Sequence, residues 1–223
     1  MIVRFLKTLV GILLIPVALG TAKAFYLGVA TLGDFQHSLI MLERGVLAYL
    51  LFHVLIMRPV YIYVIGHEFV HVLATWVCGG HVESFNISRS GGSVITSKTN
   101  FFIELSPYFV PIYTLLLGPV FLVLKSTVGG GSDLLSIFLF LVGFTLAFHF
   151  AMTTEVLKME QPDIAKSGIV LSAIVIFVFN LVLTIGVFCP FFGSISFTKF
   201  IKKASSCSAE IYTMIYDYIA GLF

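Results

Sequence analysis

Charged side chains are scarce in this chain: Asp, Glu, Lys and Arg make up 11% of its 223 residues. The 13 Lys and Arg are scattered rather than gathered on one face, and the formal net charge is only +2, which excludes a nucleic-acid footprint. Cysteine is equally sparse. Cys78, Cys189 and Cys207 form no close-spaced pair, so neither a thiolate metal site nor a redox couple is encoded, and the three read as buried or interfacial thiols. What the chain has instead is apolar surface. Hydrophobic residues make up 59% of it, 23 of them Phe, and the mean hydropathy is +1.06. One soluble core could not hide that much, so the composition implies an integral membrane protein that crosses the bilayer several times. A prokaryotic cytoplasmic membrane is the expected location.

Against this background one stretch stands out: Tyr63-Val64-Ile65-Gly66-His67-Glu68-Phe69-Val70-His71-Val72-Leu73-Ala74 sets three ionisable side chains in an apolar run. Such groups are costly at membrane depth, and where they occur they are functional by default. Histidines at i and i+4 lie one turn apart on the same helix face, which suits two imidazoles sharing one tetrahedral ion. Glu68, next to His67, can reach a water held by that ion. His-Glu-x-x-His is the zinc metallopeptidase pattern, with two ligands, a general base, and a third ligand from elsewhere in the chain. The bland reading is a helix whose histidines bond neighbouring helices and bind nothing.

In chain order, Arg4, Lys7, the run Leu9 to Leu19 and Ala22-Lys23-Ala24 resemble a secretory signal, but apolar character resumes at Phe25, so residues 1 to 30 read as an uncleaved first span. Residues 31 to 44, with Asp34, His37, Glu43 and Arg44, read as a polar connection. Gly45 to Cys78 is too long for one span of about 20 residues and divides at Arg58-Pro59, where proline removes a donor and pushes its predecessor out of the helical region. After Gly79-Gly80 the period changes, and Val82, Phe85, Ile87, Ser90-Gly91-Gly92-Ser93, Val94 and Ile95 predict a β-hairpin turning at the glycines. Further spans are expected over Phe101 to Leu124, with Glu104, Pro107 and Pro111 near its start, over Leu134 to Met152, and over Ile169 to Phe188 with Asn180 inside it. Thr153 to Lys166 reads as a polar connection, and residues 191–223 as an amphipathic helix at the membrane interface or folded back on the bundle. The resulting fold class is an all-α polytopic membrane protein of about six helices with a hairpin insert, divided into a transmembrane domain over 1–190 and the C-terminal helix. An even span number, with Arg4 and Lys7 at one end and Lys199, Lys202 and Lys203 at the other, puts both termini on the cytoplasmic side.

A catalytic zinc site needs three protein donors and one open position. Besides His67 and His71 the candidates are Asp163, in Glu160-Gln161-Pro162-Asp163-Ile164; His149, within the preceding span; and Glu155, between them. Each has an ordinary reading too. Asp163 suits the N-cap of the last span, and His149 suits a hydrogen-bonded core histidine.

The chain resembles the site-2-protease-like family of intramembrane zinc metallopeptidases over about residues 60 to 170. The likeness rests on Gly66-His67-Glu68-Phe69-Val70-His71 within an apolar helix, on Gly79-Gly80-His81-Val82 leading into a β-like segment, on Pro107-Tyr108-Phe109 in the next span, and on Asp163 downstream at about the separation that family shows. The resemblance implies one zinc ion per chain on His67, His71 and Asp163, with Glu68 as catalytic base, and cleavage of a peptide bond in or near the membrane segment of a protein or peptide substrate. It also implies that residues 81 to 99 present a strand edge to that substrate. Because the expected spans use up the chain, no appended PDZ-like domain is expected. Two rivals remain at this stage. One is a non-catalytic multi-span scaffold or transport-like protein with a structural or vestigial metal site. The other is a membrane zinc peptidase of the kind that trims prenylated proteins, whose third ligand is a glutamate and which would promote Glu155.

Overall fold

The computed structural model describes residues 2–32, 36–88 and 91–222, so Asp34 and Ser90, both assigned above to connections, lie outside the described residues. In chain order the elements are α1 (Ile2–Leu13), α2 (Ile15–Ala30), α3 (Gln36–Leu55), α4 (Val60–Val77), the strands β1 (Val82–Ser88) and β2 (Gly91–Thr96), α5 (Phe101–Leu105), a 3₁₀ turn at Ser106–Tyr108, α6 (Ile112–Val128), α7 (Ser132–Leu157), α8 (Pro162–Ser167), α9 (Ile169–Phe188) and α10 (Phe197–Ala220). Among the described residues five helical segments are long and apolar enough to cross a membrane: Ile2–Ala30, Gln36–Leu55, Val60–Val77, Ser132–Leu157 and Ile169–Phe188. The chain divides into two compact units, residues 36–163 and residues 1–35 with 164–223, and neither boundary coincides with residue 190.

In the unit of residues 36–163, α3 begins at Gln36 rather than at Gly45. His37, Glu43 and Arg44 therefore belong to its first turns, exposed on one side while Leu42 and Gly45 face inward. α3 and α7 lie close together because glycine stands at their crossing. A methyl group on Gly45 would come within 1.9 Å of the Phe140 carbonyl oxygen, and one on Gly143 within 2.1 Å of that of Leu42. The two helices run parallel, with Leu42 beside Gly143, Tyr49 against Phe144 and Phe148, and Arg58, just past α3, paired with Glu155. α4 starts at that same end, where Tyr63 meets Thr153 at 3.1 Å, and so runs opposite to α7. Tyr49, Tyr63, Ala147, Phe148 and Met152 form the shared core.

The segment expected as one span over Phe101 to Leu124 is broken. α5 with its 3₁₀ turn meets α6 at an angle of 74°. The physical cause is in the sequence: Pro111 starts α6 without an amide to continue the preceding turn, and Pro107 fixes the 3₁₀ turn before it. α6 packs antiparallel to α7, Thr114 on Thr145 at 2.9 Å and Phe121 on Phe138.

The β-hairpin forms, as an antiparallel pair from Val82↔Thr96 to Ser88↔Gly91. Gly91 and Gly92, expected in the turn, instead open β2. The polar connection expected over Thr153 to Lys166 is largely helical, since α7 continues to Leu157 and α8 begins at Pro162. Asp163 lies in the first turn of α8, and the N-cap of α9 is Gly168, so Asp163 does not cap the last span.

In the other unit, α1 and α2 run parallel to α9. Lys7 donates to the Lys166 carbonyl at 2.6 Å, Gly11 packs on Leu171, and Gly28 faces Ile185. α10 lies antiparallel along α2, with Ser208 on Gly20, Tyr212 bonded to the Leu13 carbonyl, and Lys23 paired with Glu210 at 3.1 Å. The Lys23 ammonium holds the Glu210 carboxyl below its ordinary range. Of the two arrangements open for the C-terminal helix, this packing corresponds to the folded-back one.

Candidate metal centre

The apolar periodicity of α4 buries Tyr63, Gly66, Glu68, Val70, Val72 and Ala74. It leaves His67 and His71, one turn apart, on the face toward α5 and the 3₁₀ turn, with ring centroids 5.0 Å apart. The two imidazoles are held differently. Nδ1 of His71 lies 2.8 Å from the Ile103 carbonyl oxygen, and because a carbonyl only accepts, Nδ1 carries a proton and Nε2 is the nitrogen left for other partners. Ile103 is itself fixed, its amide donating to the Asn100 side chain that caps α5. Such an orienting hydrogen bond on the far nitrogen is what a metal-ligating histidine ordinarily has.

His71 Nε2 faces Asp163 Oδ2 at 3.6 Å. One donor atom from each of His67, His71 and Asp163 lies within 4.8 Å of the others, and this is the cluster of potential metal donors found among the described residues. Tetrahedral zinc with bonds of 2.0–2.1 Å would space its ligands roughly 3.3 Å apart, so the His71 to Asp163 distance already approaches coordination geometry. Nδ1 of His67 is buried without a hydrogen-bond partner. An orphaned imidazole nitrogen in an apolar setting is expensive, and a cation beside this ring would answer it. Two imidazoles and a carboxylate are a donor set that zinc accepts. The residues present therefore fit a zinc ion.

The other candidates for third ligand lie outside this cluster. Glu155 is engaged by Arg58 at 3.1 Å and Lys158 at 3.2 Å and is not one of the clustered donors. His149, 6% exposed, lines a narrow cavity with His67, Tyr63, Pro107 and Phe148 but is not one of the clustered donors.

Glu68 is 8% exposed. Strand β2 covers it. A methyl group on Gly92 would stand 2.4 Å from Glu68 Cγ and 2.8 Å from its Oε1, so only glycine lets the strand approach this closely.

Sequence reasoning named Tyr108 only as part of Pro107-Tyr108-Phe109 and gave it no role. It is fully buried, its ring stands edge-on to His67 at 5.0 Å, and its hydroxyl is 3.4 Å from Gln161 Oε1 and 3.5 Å from Asp163 Oδ2. The only available signal was an aromatic held rigidly between two prolines. Comparison with known proteins returns no match: no family model, no curated protein and no solved structure is significantly similar to this chain.

Proposed function

We propose that this protein is a membrane-embedded zinc endopeptidase that hydrolyses a peptide bond in or near the membrane segment of a protein substrate. The observation that carries the reading is the convergence of His67, His71 and Asp163, 92 residues beyond His71 by numbering (163 − 71), on the helix that also bears Glu68. A structural site has no use for a carboxylate adjacent to a ligand, whereas hydrolysis needs a base there. When bound, zinc supplies a Lewis acid for the scissile carbonyl and lowers the pKa of water. The chain's own residues do the rest. His71, oriented by Ile103, and His67 with Asp163 hold the ion. Glu68 takes a proton from the attacking water and returns it to the departing amine. Burial of Glu68 under β2 excludes bulk water from the base. Because an intact helix hides its carbonyls, the substrate must enter as an unwound segment.

The membrane arrangement we infer has five crossings. Parallel α3 and α7 require an odd number of crossings between them. α4 is one, so the bent pair of α5 and α6 enters and leaves by the same face. In the other unit, α1–α2 and α9 run parallel, which an odd-numbered last crossing also requires. The start of α1 and the end of α9 then face opposite sides, and α10 carries the C-terminus back along α2.

One observation favours a second reading, a metal-bearing scaffold without activity: β2 lies over the general base. Cleavage of a model transmembrane substrate by the purified protein, with and without chelator, tests between the two. Turnover that chelation abolishes and zinc restores supports the peptidase, and zinc binding without turnover supports the scaffold.

A further inference from the structure

Tyr108 is a buried phenol that the proposed hydrolysis does not use. It occupies the 3₁₀ turn between Pro107 and Phe109 and is completely enclosed. Its ring edge lies against His67, and its hydroxyl has two acceptors within reach, Gln161 Oε1 at 3.4 Å and Asp163 Oδ2 at 3.5 Å. A hydroxyl has one proton to give. Gln161 cannot swing away to release it, because its Nε2 donates to the Val156 carbonyl at 3.2 Å. Both oxygen separations are at the long end of hydrogen bonding, so the choice between acceptors is decided by their chemistry. A carboxylate accepts about twice as strongly as a neutral amide.

We propose that Tyr108 is a positioning residue of the metal centre, its phenol donating to Asp163 and fixing that carboxylate as the third ligand. The proposal rests on the zinc reading above. The need for such a donor follows from where Asp163 sits. His67 and His71 share one rigid helix, and Ile103 orients His71, but Asp163 arrives from the first turn of a short helix beyond α7. Its Oδ2 is the oxygen that meets both His71 and the Tyr108 hydroxyl. Ligating carboxylates are ordinarily held by an outer hydrogen bond of this kind, whose loss costs 10- to 100-fold in metal affinity. The same ring that packs on one ligand thus bonds another, and the phenol couples the α4 ligands to the distant one.

The test is Tyr108→Phe, which keeps the ring on His67 and removes the hydroxyl alone. Zinc affinity is measured by competition with a chromogenic chelator, and the visible absorption of the cobalt-substituted protein reports the ligand geometry. The expected result is about tenfold or greater weakening of zinc binding, a shift in the cobalt d–d bands, and an unchanged Tm of the metal-free protein. The effect should also disappear in an Asp163→Asn background, since the phenol acts through that carboxylate. Unchanged affinity and spectrum would overturn the proposal, as would additive losses in the double variant, or lost activity with intact metal binding, which would place the phenol at the reacting atoms instead. A variant that no longer folds also counts against it, because the hydroxyl would then serve the fold. The wild-type arm separates the two levels of inference: a wild-type protein that takes up neither metal removes the zinc reading itself, whereas one that binds both, alongside an equally competent Tyr108→Phe, removes only the role of Tyr108.

Discussion

Gly92 of β2 rests directly on Glu68 of α4, so closely that its missing Cβ would lie 2.4 Å from the glutamate Cγ. Gly92→Ala must therefore push the strand, the carboxylate, or both. The metal donors are other residues, so zinc content should stay at the wild-type level. Peptidase activity should fall on the order of 10²-fold, the cost of misplacing a catalytic group by about an ångström. Zinc assay and single-turnover cleavage on the same sample check this, and wild-type cleavage by the variant would show that β2 does not hold Glu68 in place.

The donor cluster predicts a hierarchy of metal loss. Wild-type protein purified in detergent should carry about one zinc per chain. His67→Ala and His71→Ala should each abolish binding, and Asp163→Asn should weaken it severely, because an aspartate ligand contributes charge as well as a lone pair. His149→Gln, outside the cluster, should leave binding largely intact. Elemental analysis with zinc back-titration decides it, and tight binding by Asp163→Asn would remove that residue from the first coordination sphere.

The five-crossing arrangement proposed above says which connections share a face of the membrane. In a background with Cys78, Cys189 and Cys207 replaced by alanine, single cysteines at Lys98, before α5, and at Gly130, before α7, should react with an impermeant thiol reagent from one side. A cysteine at Lys158, after α7, should react from the other. Labelling of positions 98 and 130 from opposite sides would make the bent pair a true crossing.

The parts of this architecture that sequence reveals are those governed by local chemistry. The α4 histidines announce themselves because polar groups at helical spacing interrupt an apolar run, and β1 with β2 because the hydrophobic period changes after Gly80. Glu104, Pro107 and Pro111 mark a disturbance near the start of 101 to 124, but they give neither the size nor the direction of the 74° bend, which shows only where α6 packs against α7. The start of α3 is not legible in the sequence, because polarity at His37, Glu43 and Arg44 reads as loop when it is one exposed helix face. Asp163 and Glu155 were separable only by their partners. Arg58, 97 residues from Glu155, claims it, and no spacing rule foretells that pairing. The role of Gly92 is likewise a tertiary fact, a backbone approach that two consecutive glycines suggest only as a turn.

The crossing of α3 and α7 gives a stability prediction independent of the metal. Gly45→Ala places a methyl group 1.9 Å from the Phe140 carbonyl oxygen, so the helices must separate. Overpacking of this kind costs about 1–3 kcal/mol. Gly118→Ala in α6 is the control, since nothing lies within 4 Å of a methyl group there, and alanine in a helix interior should be neutral or stabilising. Thermal unfolding in one detergent should lower Tm for Gly45→Ala alone. Equal behaviour of the two variants would contradict the close helix crossing.

Glu68 decides between enzyme and scaffold. It follows His67 in sequence, so its side chain leaves the helix about 100° around from that residue, and in the proposed peptidase it would act on a water rather than hold the ion. A carboxylate at this depth costs several kcal/mol unless compensated, and a divalent cation nearby does that directly. Glu68→Gln preserves size and hydrogen-bonding capacity but cannot accept the water's proton. The variant should fold, keep its zinc, and lose at least on the order of 10² in cleavage rate, the scale of general-base catalysis. Because binding precedes the lost step, it should still capture a model transmembrane substrate, visible by co-purification or crosslinking. Loss of zinc from Glu68→Gln would make the residue a ligand, and cleavage at the wild-type rate would end the peptidase reading, leaving His67, His71 and Asp163 as a metal site within a scaffold.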